Sequence, residues 1–350
     1  MIDPYSRVID YLRISITDRC NLRCIYCMPP EGLEPKGREE MLRYEEIERV
    51  AREFIQLGVT RFRITGGEPL IRKGITELIR GLAGLDGVED LSLTTNGLLL
   101  DRYALELKQA GLRRVNISLD SLDSERYHYI TRGGDFHQVL RGIRSALEVG
   151  LNPVKLNVVV IRGVNDDEVL DFVELARTLP VWVRFIEFMP MGGESFWTPE
   201  KFIPSEEVKE RVLERYSLEA LPQWSSGGPS ALEQGLSPAF HPETRSAMVG
   251  NGPAIYWRTP GAVGRVGFIS SMTQHSCHRC NRLRLTAEGR LRSCLLADEE
   301  IDLRPSLREG GTKEALKRLI ERAARSKPPG HQLSPAGRSH ARGQMSAIGG

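Results

Sequence analysis

Apolar and polar residues alternate in short runs along the first half of the chain: Leu12 to Thr17, Phe62 to Thr65, Leu91 to Asn96, Val115 to Asp120 and Val154 to Val158. A period of two predicts strands. Between these runs, apolar residues recur every three or four positions in Tyr44 to Leu57, Ile71 to Leu82, Asp101 to Ala110, Phe136 to Val149 and Asp166 to Leu179. That spacing predicts amphipathic helices. With Val181 to Phe188 as a further strand, strand and helix alternate through about six units before the pattern fades near Ser195, the order of a parallel β/α architecture. The expected fold class is α/β, an incomplete (β/α)6 barrel of the TIM type with a C-terminal extension.

The alternation carries a second message. Strands of a closed parallel barrel are covered on both faces and usually read as continuous apolar runs. Here one face is polar: Leu12, Ile14 and Ile16 alternate with Arg13, Ser15 and Thr17, and Phe62 and Ile64 with Arg61, Arg63 and Thr65. Ser92, Thr94 and Asn96, then Asn116, Ser118 and Asp120, then Lys155 and Asn157 repeat the split. A half-solvated sheet would give the same alternation, but helices intervene between all these strands. If the apolar set packs on the helices, the polar set lines a lumen suited to a large, anionic, hydrogen-bonding ligand.

Residues 1–221 are expected to form the barrel, and Pro222 to Glu243, rich in Ser, Gly and Pro, a loop or linker. Residues 244–325 form the extension, with a strand at Arg265 to Ser270, a hairpin from Arg282 to Cys294 turning at Ala287-Glu288-Gly289, and a helix at Lys313 to Arg325. The polar segment 326–350 is expected to be a flexible tail ending in Gly-Gly.

Composition narrows the class. At 350 residues, with 40% hydrophobic and 27% charged residues, the chain has the balance of a soluble globular protein. A formal net charge of +2 does not make a case for nucleic acid, which calls for a concentrated basic face. No stretch approaches the ~18 apolar residues of a membrane span. The N-terminus, Met1-Ile2-Asp3-Pro4-Tyr5-Ser6-Arg7, has no apolar signal core, so the expected compartment is the cytoplasm. Six cysteines in a reducing compartment are not expected to form disulfides.

Their spacing is specific. Cys20, Cys24 and Cys27 form C-x3-C-x2-C directly after the first strand, where the active-site loop of a β/α barrel lies. Three thiolates hold three irons of a cubane and leave the fourth open to a chelating ligand, whereas a structural zinc site closes its shell with four. Cys277, Cys280 and Cys294 form C-x2-C-x13-C. This second triad fits another cubane, or a zinc ion completed by His275 or His278.

Cys20-Asn21-Leu22-Arg23-Cys24-Ile25-Tyr26-Cys27 resembles the signature of radical S-adenosylmethionine (SAM) enzymes, and Gly66-Gly67-Glu68-Pro69 resembles that superfamily's glycine-rich SAM motif. The resemblance narrows to the GTP 3',8-cyclase family of molybdenum cofactor synthesis and covers nearly the whole chain. It is carried by Tyr11-Leu12-Arg13-Ile14-Ser15, by Arg184-Phe185-Ile186-Glu187-Phe188-Met189-Pro190, by Asn281-Arg282-Leu283-Arg284-Leu285 and by the terminal Ile348-Gly349-Gly350.

The resemblance implies SAM and two [4Fe-4S] clusters as cofactors. Cys20, Cys24 and Cys27 would hold the cluster that cleaves SAM, with Tyr26, Gly67, Ser118 and Met189 contacting SAM. Cys277, Cys280 and Cys294 would hold the second. GTP would meet Arg13, Arg63, Thr94, Lys155, Arg282, Leu283 and Arg284, and Arg13, Arg282, Arg284, Gly349 and Gly350 would be catalytic. A 5'-deoxyadenosyl radical would remove hydrogen from C3' of GTP, and C3' would then add to C8 to give 3',8-cyclo-7,8-dihydro-GTP. Implied partners are an electron-donating reductase or a flavodoxin or ferredoxin, and a downstream cyclic pyranopterin synthase; a homodimer is left open. Peptide-modifying radical SAM enzymes and zinc-stabilised nucleotide-binding proteins are the competing classes. No role follows from sequence for Arg19, Glu68 or Glu187.

Overall fold

The computed structural model describes residues 1–34, 36–191, 196–221, 252–331 and 333. Each predicted β-run of the first half forms a strand, within a residue or two of its expected ends: β1 (Tyr11–Ser15), β2 (Arg61–Thr65), β3 (Asp90–Thr95), β4 (Arg114–Ser118), β5 (Val154–Val160) and β6 (Val181–Glu187). They pair in parallel and in chain order. The predicted helices follow as α1 (Tyr44–Gln56), α2 (Ile75–Ala83) and α3 (Leu100–Gln109). Next come the short α4 (Ser124–Thr131), then α5 (Phe136–Glu148) and α6 (Val169–Thr178). The periodicity did not predict α4, because eight residues offer little room for an apolar period.

Their apolar faces supply the packing. Ile47, Val50, Ala51 and Phe54 line one side of α1 and are fully buried with Leu12, Ile14, Phe62 and Ile64 of the sheet. Burying a Leu, Ile or Phe side chain contributes roughly 1.5–3 kcal/mol, so this shared layer is what holds helix to strand. Asp123 and Asp135 start α4 and α5 by accepting the amides of Arg126 at 2.8 Å and Gln138 at 3.2 Å, each satisfying a donor the helix leaves free.

Beyond the six units lie α7 (Ser205–Leu213), β7 (Glu219–Ala220), β8 (Ile255–Arg258), β9 (Arg265–Ile269), β10 (Arg282–Leu285), β11 (Arg290–Arg292) and β12 (Glu300–Asp302). Two helices follow, α8 (Arg304–Arg308) and α9 (Lys313–Arg325). The strands of this second half enter the same sheet, in the order β12-β11-β10-β1-β2-β3-β4-β5-β6-β9-β8-β7. Both β10 beside β1 and β9 beside β6 are parallel pairings, so the parallel portion is two strands wider than the six predicted units. Among the described strands no pairing closes β12 on β7, and the barrel is incomplete as expected.

The predicted hairpin forms from β10 and β11, with Gly289 at φ +83° in its turn. Residues 222–243 and 334–350 lie outside the described residues. The first residues of the expected tail are held in place: Lys327 is buried and donates to two backbone carbonyls.

Candidate active site

In a parallel sheet the loops that follow the strands share one rim. The first cysteine loop leaves β1 and winds tightly, the amides of Cys27 and Met28 both donating to the Cys24 carbonyl at 2.9 and 3.2 Å. Gly66 and Gly67 leave β2 beside it. A Cβ on Gly67 would stand 2.2 Å from the Arg19 carbonyl oxygen, so glycine is required there by the cysteine loop itself. Because β10 runs parallel to β1 and β11 antiparallel to β10, Cys277 and Cys280 just before β10 and Cys294 just after β11 lie at the opposite rim, where β1 begins. All six cysteines line one cavity of about 360 Å³, within the range of ligand sites.

The six cysteines form no disulfide and are partly buried. The Cys20 sulfur accepts the Leu22 amide at 3.4 Å and faces the Asn96 side-chain amide at 3.9 Å. Burial pushes the Cys24 thiol well up, and Cys27, Asp120 and Cys20 push it further, so the three sulfurs oppose one another's ionisation unless a cation joins them. At the second triad burial raises Cys280, but Arg282 and Lys327 outweigh it and bring the thiol down to about 6. Among the described residues no three His, Cys, Asp or Glu side chains converge on a point able to hold a single metal ion. A cubane instead spreads three thiolates over three irons. His275 and His278 are exposed and lie outside the cavity lining. The first triad's donor set fits a cluster with one iron left open; at the second triad His331 also lines the cavity.

The floor is cationic. Strand register sets Arg284, Arg13 and Arg63 side by side on β10, β1 and β2, and all three line the cavity. Burial lowers each: Arg63 to about 10, Arg284 to about 10 with Arg282 adding to the effect, and Arg13 well below its usual value with Arg284 and Arg63 adding. The guanidiniums repel one another in a secluded site, an arrangement a bound polyanion relieves. Arg13 Nε, Thr94 Oγ1, Asn157 Oδ1 and Arg184 Nε are buried without a hydrogen-bond partner. Such atoms are costly unless a ligand completes them.

Tyr26, Gly67, Ser118 and Met189 line the cavity, as do Thr94 and Arg282. Two predicted residues do not. Leu283 points to the opposite face of β10 and is fully buried in the hydrophobic core, as side-chain alternation along a strand demands. Lys155 is buried beneath the floor, its Nζ 4.4 Å from the centroid of the Trp182 ring and 5.3 Å from that of Tyr256; burial, with Arg114, Arg184 and Arg63, pushes it well below its usual value. Gly349 and Gly350 lie outside the described residues.

The site also contains residues that were assigned no role. Asp120 is buried at the rim and accepts the Tyr26 hydroxyl at 2.6 Å and the Val159 amide at 2.8 Å. Arg184 donates to Asn116 Oδ1 at 2.7 Å and lines the cavity with Asn157. Their signal was the same inward alternation that marked Arg13.

Glu68 accepts the amides of Leu70 and Asn96 at 3.0 and 2.7 Å and the Thr95 hydroxyl at 2.7 Å. It ties the β2 loop to the β3 loop. Glu187 accepts the amides of Ser205, Met272 and Thr273 at 2.9, 2.6 and 3.0 Å, fastening the end of β6. Arg19 is exposed, and its carbonyl accepts the Glu68 amide at 2.8 Å.

Comparison with known proteins gives these features a family. Residues 14–176 match the model of the radical SAM superfamily, and residues 235–333 match the model described as Molybdenum Cofactor Synthesis C. A GTP 3',8-cyclase of Pelotomaculum thermopropionicum is 49% identical over 350 residues, covering 100% of both chains. One of Moorella thermoacetica is 48% identical, again over 100% of both. Among solved structures, SuiB of Streptococcus suis bound to S-adenosylmethionine superposes with a TM-score of 0.55 at 14% identity, covering 83% of this chain and 61% of that one. That resemblance concerns the fold. With the full length matched and both cysteine triads at one cavity, the chain belongs to the radical SAM superfamily and, within it, to the GTP 3',8-cyclase family.

Proposed function

We propose that the chain carries out its family's reaction with two [4Fe-4S] clusters, cyclising GTP to 3',8-cyclo-7,8-dihydro-GTP in the first step of molybdenum cofactor synthesis. One observation carries the reading: two cysteine triads and a row of mutually repelling buried cations open onto a single cavity. In this reading Cys20, Cys24 and Cys27 hold the first cluster, and Tyr26, Gly67, Ser118 and Met189 seat SAM beside it. Cys277, Cys280 and Cys294 hold the second cluster. When bound, SAM and the first cluster supply the hydrogen-abstracting chemistry at C3' of GTP, after which C3' closes on C8.

The protein's residues do the placing. Arg13, Arg63, Arg282 and Arg284 offer charge-assisted hydrogen bonds to triphosphate oxygens, and the buried, unpartnered Thr94 hydroxyl is available to the same ligand. Lys155 lies against Trp182 and Tyr256 and would reach the ligand only from beneath the floor. Holding the reacting carbon at a fixed place in a water-poor cavity is the main service a protein performs for chemistry of this kind. Leu283 serves the core in place of the substrate. Gly349 and Gly350 are assigned to the active site on family resemblance alone. Residues 1–221 supply the SAM site and 244–325 the second cluster. An electron-donating reductase, or a flavodoxin or ferredoxin, and a downstream cyclic pyranopterin synthase complete the reading of partners.

Anaerobic reconstitution tests it. About eight irons per chain, with 5'-deoxyadenosine formed only when GTP is added, supports the assignment. About four irons with zinc at the second triad contradicts the second cluster, and SAM cleavage independent of GTP contradicts the substrate.

A further inference from the structure

Two buried cations that the reaction itself does not use grip the second cysteine triad from outside its own segment. Arg7 stands on an N-terminal hairpin closed by the Ile2–Val8 bridge. Its Nη1 donates to the Cys277 carbonyl at 2.8 Å and to the Pro329 carbonyl at 3.2 Å, and its Nη2 to the Pro328 carbonyl at 2.7 Å. Asp3 aims it, accepting Nε at 2.5 Å through one oxygen and the amides of Tyr5 and Arg7, each at 2.9 Å, through the other.

Lys327, two residues beyond α9, is 3% exposed. Its Nζ donates to the carbonyls of Arg282 and Ser293, each at 2.7 Å. The first lies two residues after Cys280 and the second immediately before Cys294, and the ammonium faces both sulfurs. One cation thus spans the two ends of the β10–β11 hairpin while the other fixes the turn that carries Cys277.

Burying an ammonium is unfavourable unless negative charge accompanies it, and two neutral carbonyls meet only part of that demand. Thiolates of a filled cluster site supply the rest. We infer that Lys327 and Arg7 are positioning residues of the second cluster: Lys327 sets the separation of Cys280 and Cys294 and offsets their charge, and Arg7 fixes Cys277. This rests on the reading of the second triad as a cluster site.

Reconstituted full-length enzyme tests it, with Lys327→Met, Lys327→Arg, Arg7→Met and Arg7→Lys beside wild type. Cys277→Ser identifies the second cluster's spectroscopic signal. Outer partners of metal ligands typically hold metal 10- to 100-fold more tightly, so Lys327→Met and Arg7→Met are expected to lose the second cluster's iron to a chelator roughly tenfold faster. The first cluster's iron should leave at the wild-type rate. Lys327→Met should also lower the second cluster's midpoint potential, because a nearby positive charge favours the reduced state. The charge-keeping Lys327→Arg and Arg7→Lys should lie closer to wild type. If wild type carries both clusters and the Met variants match it in iron loss and potential, the inference is overturned. An equal loss from both clusters, together with a lower melting temperature of the metal-free protein, also overturns it by assigning the pair to general stability. Wild type with about four irons overturns the cluster reading itself, a result visible before any variant is made.

Discussion

Arg13, Arg63 and Arg284 occupy adjacent strands at matched register, and their charges work against the fold until a ligand arrives. Replacing one has opposite effects on stability and on catalysis. Arg13→Ala is expected to raise the melting temperature of the GTP-free protein, because it removes a cation that Arg284 and Arg63 both repel. The same change should remove a charge-assisted hydrogen bond of about 1.5–3 kcal/mol and lower kcat/KM for GTP roughly 10- to 100-fold, with iron content unchanged. Arg284→Ala should lower turnover alike. A variant that loses iron or keeps full turnover contradicts these assignments.

Alternation along the strands announced Arg13, Arg63, Thr94 and Ser118 as inward residues, and all four line the cavity. It placed Lys155 inward too, but not how deep: Trp182 and Tyr256 hold its ammonium below the floor, and rings from β6 and β8 cannot be read from β5.

At the scale of elements, β10 is the strand on which the site depends. Its two faces make separable predictions. Leu283→Ala should cost about 2–5 kcal/mol through the cavity it leaves, read as a lower melting temperature of the metal-free protein, while Arg284→Ala should act mainly on turnover of GTP. A Leu283→Ala protein that keeps the wild-type melting temperature would mean that β10 does not divide its residues between core and cavity. The alternating sequence of β10 was legible, but its place beside β1 was not, since a pairing across some 270 residues of chain leaves no local mark. Resemblance assigned Leu283 to GTP along with its neighbours; the period of two in the strand turns it the other way.

Glu68 links two other elements, the loops after β2 and β3, and carries a pH dependence. Burial raises its carboxyl to about 7, against which the Asn96 and Leu70 amides and the Thr95 hydroxyl pull only in part. The folded chain therefore holds this proton more tightly than the unfolded chain, in which a glutamate titrates near ~4.3. The stabilising contribution is fully present below that unfolded value and is lost as the pH rises through about 7. Melting temperatures of the metal-free protein between about pH 5 and about 7 should fall more steeply for wild type than for Glu68→Gln. Identical slopes would contradict the shift.

For the molecule as a whole, the β/α order of the first half was written in hydrophobic periodicity, and the spacing of Cys20, Cys24 and Cys27 pointed to the radical SAM superfamily. How the second half joins was not written there: its strands extend the same sheet at both edges, and this brings the two triads to one cavity. Short elements such as α4 escaped notice because tertiary burial of Tyr127 and Ile130, more than a repeating pattern, holds them in place.

In the function proposed, this cavity presents C3' of GTP to the hydrogen-abstracting chemistry of SAM. Turnover of GTP bearing deuterium at C3' tests it directly. Deuterium in the recovered 5'-deoxyadenosine, alongside a product with a C3'–C8 bond, is the result expected; 5'-deoxyadenosine that acquires no deuterium from C3' would mean that hydrogen is taken from another position.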